Sequence, residues 1–280
     1  MFLSEIWRYP LKSAKGLSLN QAVLDPFGLQ NDRRWMLVDP SGQMVTQRTC
    51  PKMCLISVLE PEYLVLSDAS KTPGLVLQLP DQPAFEVALP NGQQTIKVQV
   101  WRDHCQAWLA DPEASDKISA YLAKPVRLVW FPDNQFRQVD LNYASRGEGV
   151  AFADGFPLLL ISQASLDDLN QRLHAPVSMS RFRPNLVIAG ADAYAEDQAQ
   201  GIKIGDQRFR IVKPCARCSI PNIDPLTAKR SNQPAQTLLG YRKIKSEILF
   251  GQNLLCDSAF NRMENDKYPN LRVGMSAEWF

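Results

Sequence analysis

Between Leu17 and about Trp108 the chain is a series of short apolar or alternating runs broken by Pro, Gly, Asn and Asp, a pattern that predicts strands joined by tight turns. In residues 95–101, Ile96, Val98 and Val100 alternate with polar positions, so one face turns to a core and the other to solvent. Asn91-Gly92 just before them is a tight-turn signal. Residues 34–38, 54–59 and 63–66 read the same way, and the opening residues 1–8 read as a further strand. Strands this many, with links this short, predict a barrel or a sandwich.

Asp111-Pro112-Glu113 then predicts a helix running to about residue 123: Asp caps it, Pro fits its first turn, and Glu complements its dipole. Residues 126–131 read as a strand and residues 132–149 as a polar, mobile loop. The expected division is therefore a first domain over 1–125 and a second over 126–280. In the second, residues 157–161 predict a buried strand, and Ser162 caps a helix whose Leu166, Leu169 and Leu173 share a face. Further strands are expected at 185–188, 202–204, 208–212, 250–255 and within 271–280, with a helix starting at Pro234. The fold class is mainly β with a few helices.

Charge and composition narrow the function classes. With 31 basic and 29 acidic residues the net charge is +2, far from the balance that sequence-independent nucleic-acid binding requires, so no nucleic-acid partner is expected. No apolar run approaches the roughly 20 residues of a membrane span, and the N-terminus has neither a signal-peptide nor a transit-peptide pattern. Cysteines at 50, 54, 105, 215, 218 and 256 are too sparse for a disulfide scaffold and suit a reducing compartment. The protein is expected to be cytoplasmic.

The chemistry concentrates in Lys213-Pro214-Cys215-Ala216-Arg217-Cys218, at the end of the strand over 208–212 and followed by Asp224-Pro225. A thiolate is a nucleophile and a soft metal ligand, and neighbouring cations such as Arg217 and Lys213 favour its ionised form. Taken alone, the Cys-x-x-Cys pair reads equally as two buried thiols, a redox pair or half of a zinc site. Three polar clusters interrupt apolar text elsewhere: Tyr9-Pro10-Leu11-Lys12-Ser13, Asp32-Arg33-Arg34-Trp35 and Arg181-Phe182-Arg183-Pro184-Asn185. Lys12-Ser13 offers a point charge and a hydroxyl, and Arg33 and Arg183 a guanidinium fork, all suited to a phosphate. His104 and His174 fall outside these clusters and read as structural or surface residues.

In order along the chain, these residues resemble the MOSC family with its N-terminal companion barrel domain, in the branch of the mitochondrial amidoxime-reducing component and its bacterial counterparts. The resemblance rests on the three clusters, on Gly16, Gly28-Leu29 and Met44-Val45-Thr46, and on Ala164-Ser165-Leu166, Leu169-Asn170, Cys215 to Cys218, Asp224-Pro225 and Phe250-Gly251-Gln252. It runs nearly end to end. It implies a β-barrel MOSC domain after a barrel-like first domain, and a molybdopterin-type molybdenum cofactor between them. Cys218 matches the metal ligand and catalytic cysteine. Lys12, Ser13, Arg33, Arg183 and Asn185 match positions contacting the cofactor, Asp154 and Gly155 fall beside it, and Arg217 is a supporting charge.

The implied activity is reduction of N-hydroxylated small molecules, such as amidoximes, hydroxylamines and N-hydroxylated bases. Because the chain ends at Phe280 without an iron-sulfur domain, electrons are expected from a separate flavoprotein, ferredoxin-type protein or cytochrome. Ala228 departs from the pattern, standing where the family usually has Gly, so the turn after the cysteines is expected to differ. Two rival readings use the same thiols. One is a sulfurase-type persulfide carrier or transferase, and the other a structural zinc site made from Cys50, Cys54, Cys215 and Cys218.

Overall fold

The computed structural model describes residues 1–59, 74–257 and 269–280, so the strand expected at 63–66 lies outside the described residues. The remainder is mostly strands with three α-helices, as the pattern predicts. Among the described residues the largest sheet has nine strands. Its path runs Ala277–Trp279, Gly201–Ile204, Gln207–Ala216, Glu247–Cys256, Leu158–Ser162, Leu186–Ala189, Phe2–Arg8 and Leu17–Leu19, with Lys243–Ile244 paired onto Glu247–Cys256. A four-stranded sheet orders Trp35–Val38, Arg127–Trp130, Asp103–Leu109 and Thr95–Val100.

Strand pairing crosses the expected division at residue 125 in both directions. Phe2–Arg8 pairs antiparallel with Leu186–Ala189, with Ile6 opposite Leu186, and sends Leu3 and Ile6 into the core of the large sheet. Arg127–Trp130 returns to the first half and pairs with Trp35–Val38 and Asp103–Leu109. The two halves are stitched together, and the chain segments that leave one sheet for the other meet at a single place.

The helices follow their caps. Asp111 accepts a hydrogen bond from the Glu113 backbone N–H at 2.8 Å, and Pro112–Leu122 buries Ala114, Ile118 and Leu122 in the core that holds Trp35, Leu37 and Leu128. Ser162 accepts from the Ser165 N–H at 3.1 Å and starts Gln163–Gln171, which buries Leu166 and Leu169. Ala235–Tyr241 begins one residue after Pro234.

Two expectations fail for local reasons. Residues 54–59 hold only a two-residue strand, Ser57–Val58, because Pro51 fixes a helical φ and opens a 3-10 turn over Pro51–Leu55 that buries Met53 and Cys54. The polar loop at 132–149, expected to be mobile, is pinned. Arg137 is buried and donates to the Ala151 and Ala153 carbonyls and to Asp103, and the Gln138 amide nitrogen donates to the Val139, Ser145 and Glu148 carbonyls. Polar composition here signals an internal hydrogen-bond network.

Candidate functional site

The turn after Phe2–Arg8 leaves the large sheet and runs against the start of Trp35–Val38. Lys12 N donates to the Trp35 carbonyl at 2.8 Å, Trp35 N to Pro10 at 3.0 Å and Arg33 N to Tyr9 at 2.9 Å. Phe152 N then donates to the Arg33 carbonyl at 3.0 Å, which fastens a third segment. Ser13, Arg33 and Arg183 hold left-handed φ values of 69°, 49° and 57°, a costly backbone for non-glycine residues and one that clusters at binding sites. These turns face a cavity of about 160 Å³. All nine candidate residues line it: Lys12, Ser13, Arg33, Asp154, Gly155, Arg183, Asn185, Arg217 and Cys218.

One wall is cationic and incompletely neutralised. The guanidinium carbons of Arg33 and Arg183 lie 4.6 and 4.1 Å from the centre of the same Tyr9 ring. Arg33 is spent within the protein, on Asp32, on Asn185 Oδ1 at 3.0 Å and on the Arg183 carbonyl at 3.2 Å. Asn185 is spent too, since its Oδ1 also accepts from Leu159 N at 3.2 Å and its Nδ2 donates to Trp7 O at 3.1 Å. Its place in the wall is that of a brace for Arg33. Arg183 differs: Nη1 donates to the Ala14 carbonyl at 2.6 Å, while Nη2 is buried without a partner.

Burial pushes Arg183 down to about 10, and the like charge of Arg33 adds to the effect. Burial likewise pulls Lys12 down to about 8, although Asp154 pairs with its ammonium. Burial alone would raise the Asp154 carboxyl, but Lys12 and Arg48 outweigh it and hold Asp154 well below the usual carboxylate range. Five basic side chains line the cavity (Lys12, Arg33, Arg48, Arg183, Arg217) against the single carboxylate of Asp154. An anion bound here would lie among these basic side chains and offset charge that the protein leaves uncompensated.

The opposite wall carries the thiols. The register of Gln207–Ala216 on Glu247–Cys256 shifts twice, between Ile211 and Lys213 and between Pro214 and Ala216. Such bulges re-aim side chains and tolerate a proline that has no N–H to give. Gly251, opposite, has φ +82°, and a Cβ there would lie 2.6 Å from Ile161 Cγ1, so only glycine lets the strands close. Cys215 therefore sits within the strand and Cys218 two residues past its end, both half-buried.

The charges on these thiols differ from the sequence-based expectation. Arg217 Nη1 donates to Cys215 Sγ at 3.1 Å and Nη2 to the Phe182 carbonyl at 2.7 Å. Lys213 stands over the Tyr143 ring, 4.8 Å from its centre. The guanidinium at Cys218 belongs to Arg48, whose Nη2 lies 3.2 Å from Sγ. Arg48 was missed although its signal was near, two residues past Met44-Val45-Thr46. The zinc reading fails: among the described residues no three His, Cys, Asp or Glu side chains gather to hold a metal ion, and Cys54 instead donates to the Asp224 carbonyl at 3.6 Å. A Cβ on Gly155 would meet nothing within 4 Å, so that position opens on free space. His104 and His174 are exposed and outside the cavity.

The turn after the cysteines keeps the geometry expected of glycine. Ala228 has φ +57°, with its N–H donated to the Asp224 carbonyl at 2.8 Å, so alanine carries the left-handed strain and the turn survives.

The cavity thus brings five basic side chains and the Cys215 and Cys218 thiols together in one place. Residues 1–125 match the MOSC N-terminal beta barrel domain and residues 147–276 the MOSC domain. The chain is 35% identical over 251 residues to mitochondrial amidoxime-reducing component 1 of Mus musculus, covering 86% of this chain and 71% of that protein. It is 33% identical to the Homo sapiens protein of the same name, over 92% of this chain and 77% of the relative. It is also 31% identical to molybdenum cofactor sulfurase of Solanum lycopersicum, over 99% of this chain but 35% of that longer protein. The chain belongs to the MOSC family and carries its N-terminal companion domain.

Proposed function

We propose that the cavity holds a molybdopterin-type molybdenum cofactor with the Cys218 thiolate as the protein ligand to the metal. On this reading the protein reduces amidoximes, hydroxylamines and N-hydroxylated bases with electrons from a separate flavoprotein, ferredoxin-type protein or cytochrome. The carrying observation is the buried, unpartnered Nη2 of Arg183 in a five-cation cavity that also contains Cys218. The names of two relatives 33–35% identical to the chain support the same direction.

The residues fit such a group. Its phosphate is matched by Arg183 and Lys12 with the Ser13 hydroxyl beside them, while Arg33, braced by Asn185 and Asp32, shapes the wall. Gly155 leaves room for bulk, and the thiolate of Cys218 is a good donor to a thiophilic metal. The bound group would supply two-electron oxygen-atom transfer, and the protein binds and orients it. Overall, the N–O bond is cleaved with two electrons and two protons, leaving the N–H product and water. The reading takes the protein to be cytoplasmic, in keeping with six free thiols.

The relation to the sulfurase favours a second reading, persulfide carriage on the same thiolate. Activity separates the two. Protein from a cofactor-competent host, given a chemical reductant, is expected to convert an amidoxime to the amidine. Cys218→Ser is expected to abolish this, while Cys215→Ser retains much of it. Equal loss in both variants would reject the ligand assignment.

A further inference from the structure

The charge beside Cys218 comes from the other half of the chain, and it is held from three sides. Arg48 Nη2 lies 3.2 Å from Cys218 Sγ and 3.1 Å from Asp154 Oδ2, and the guanidinium carbon lies 4.6 Å from the centre of the Trp101 ring. Its backbone is anchored as well: the Arg230 guanidinium donates to the Arg48 carbonyl, and neighbouring Gln47 donates its amide to the Ser13 carbonyl at 2.7 Å. Trp101 sits at the turn between Thr95–Val100 and Asp103–Leu109 with φ +57° and 46% of its surface exposed. A bulky residue in the left-handed region is strained, and an exposed indole gains little burial in return. The contact that the turn secures is the one with Arg48.

We propose that Arg48, seated on Trp101 and tied to Asp154, is the positioning residue of the Cys218 thiolate. It fixes the sulfur on the cavity wall and supplies the positive charge that draws an anion to that sulfur. Arg217 performs the corresponding task for Cys215. The inference rests on the reading of Cys218 as the thiolate that meets the cofactor, but its test needs no metal.

The test is carried out on metal-free, full-length protein carrying Cys215→Ser. Cys218 is alkylated in parallel with iodoacetate and iodoacetamide, and each rate is read at the Cys218 peptide by mass spectrometry. Both reagents consume the same thiolate, so their rate ratio cancels the thiolate fraction and reports the field felt by an incoming anion. Arg48→Gln and Arg48→Ala are expected to lower the iodoacetate to iodoacetamide ratio by roughly three- to tenfold. Arg48→Lys should restore most of it, Trp101→Ala should lower it less, and Trp101→Phe should stay near the parent value. Arg217→Ala, which removes a cavity cation turned toward residue 215, should lower the ratio at Cys218 much less than Arg48→Gln does.

An unchanged ratio in folded Arg48→Gln, or an equal fall in Arg217→Ala, would overturn the assignment. The Gln variant, which keeps a polar side chain and part of the arginine stem, carries the decision if the Ala variant does not fold. Protein that takes up no molybdenum yet shows the fall would keep the Arg48 assignment and lose the cofactor reading.

Discussion

Arg33 and Arg34 are neighbours in sequence that enter two regions of opposite character. Arg34 is buried: its Nε donates to the Phe131 carbonyl at 2.9 Å, Asp25 and the exposed Asp133 supply counter-charge, and the rings of Phe27, Trp130 and Phe131 surround it. Arg33 points toward Arg183, and the two cations share one tyrosine ring. No carboxylate lies within ion-pair distance of Arg183 among the described residues, and its Nη2 has no partner. This chain can therefore compensate a buried guanidinium completely, and at the cavity it does not. An uncompensated guanidinium beside four further basic side chains is the feature on which the proposed anionic ligand rests.

The largest expected effect breaks the compensated side. Arg34→Ala leaves Asp25 and the Phe131 carbonyl without their partner, and is expected to cost about 3–5 kcal/mol in denaturant unfolding. A cost under about 1 kcal/mol would dissolve the contrast. Arg183→Met removes a charge that burial already disfavours, so metal-free protein should be as stable as wild type or more so. The same variant should lose most of the rise in melting temperature that sulfate gives the wild type through binding linkage. A loss of stability comparable to that of Arg34→Ala would show Arg183 to be structural.

Lys12 sharpens the comparison through pH. Its folded-state value is pushed to about 8, below its ordinary 10.5, so between those values the unfolded chain holds a proton that the folded chain has released. Stability relative to Lys12→Met should therefore rise as pH climbs from about 8 to about 10.5, by at most about 3 kcal/mol, and be flat below. A difference that falls across that window would contradict the cationic strain assigned to the cavity. The smallest effect lies at the turn after the cysteines. Ala228→Gly should relieve the left-handed strain and raise stability by up to about 1 kcal/mol, without altering thiol reactivity.

Patterns that depend on neighbours in the chain were legible from the sequence. Asp111 and Ser162 cap the helices their spacing predicts, and Ile96, Val98 and Val100 lie in the strand their alternation predicts. The nine candidate residues also converge on one cavity, and three of them, Ser13, Arg33 and Arg183, hold a costly left-handed backbone there. What escaped is what only tertiary contact decides. Arg217, one residue from Cys218, turns to Cys215 because the bulged strand aims it there, while Arg48 reaches Cys218 from 170 residues away. The exchange of Phe2–Arg8 and Arg127–Trp130 between the sheets is likewise invisible in the local sequence, which does not name a strand's partner. Proximity in sequence was a poor guide to which charge serves which sulfur.

The central claim is that Cys218, in a cavity left cationic by design, holds molybdenum through a pterin cofactor. It is tested most directly by molybdenum and pterin analysis of protein freshly purified from a cofactor-competent host, beside Cys218→Ser and Cys215→Ser. Near-stoichiometric molybdenum and pterin in the wild type and in Cys215→Ser, with metal lost from Cys218→Ser, is the predicted result. Metal-free wild-type protein carrying cyanide-labile sulfur on Cys218 would contradict it and establish the sulfur carrier instead.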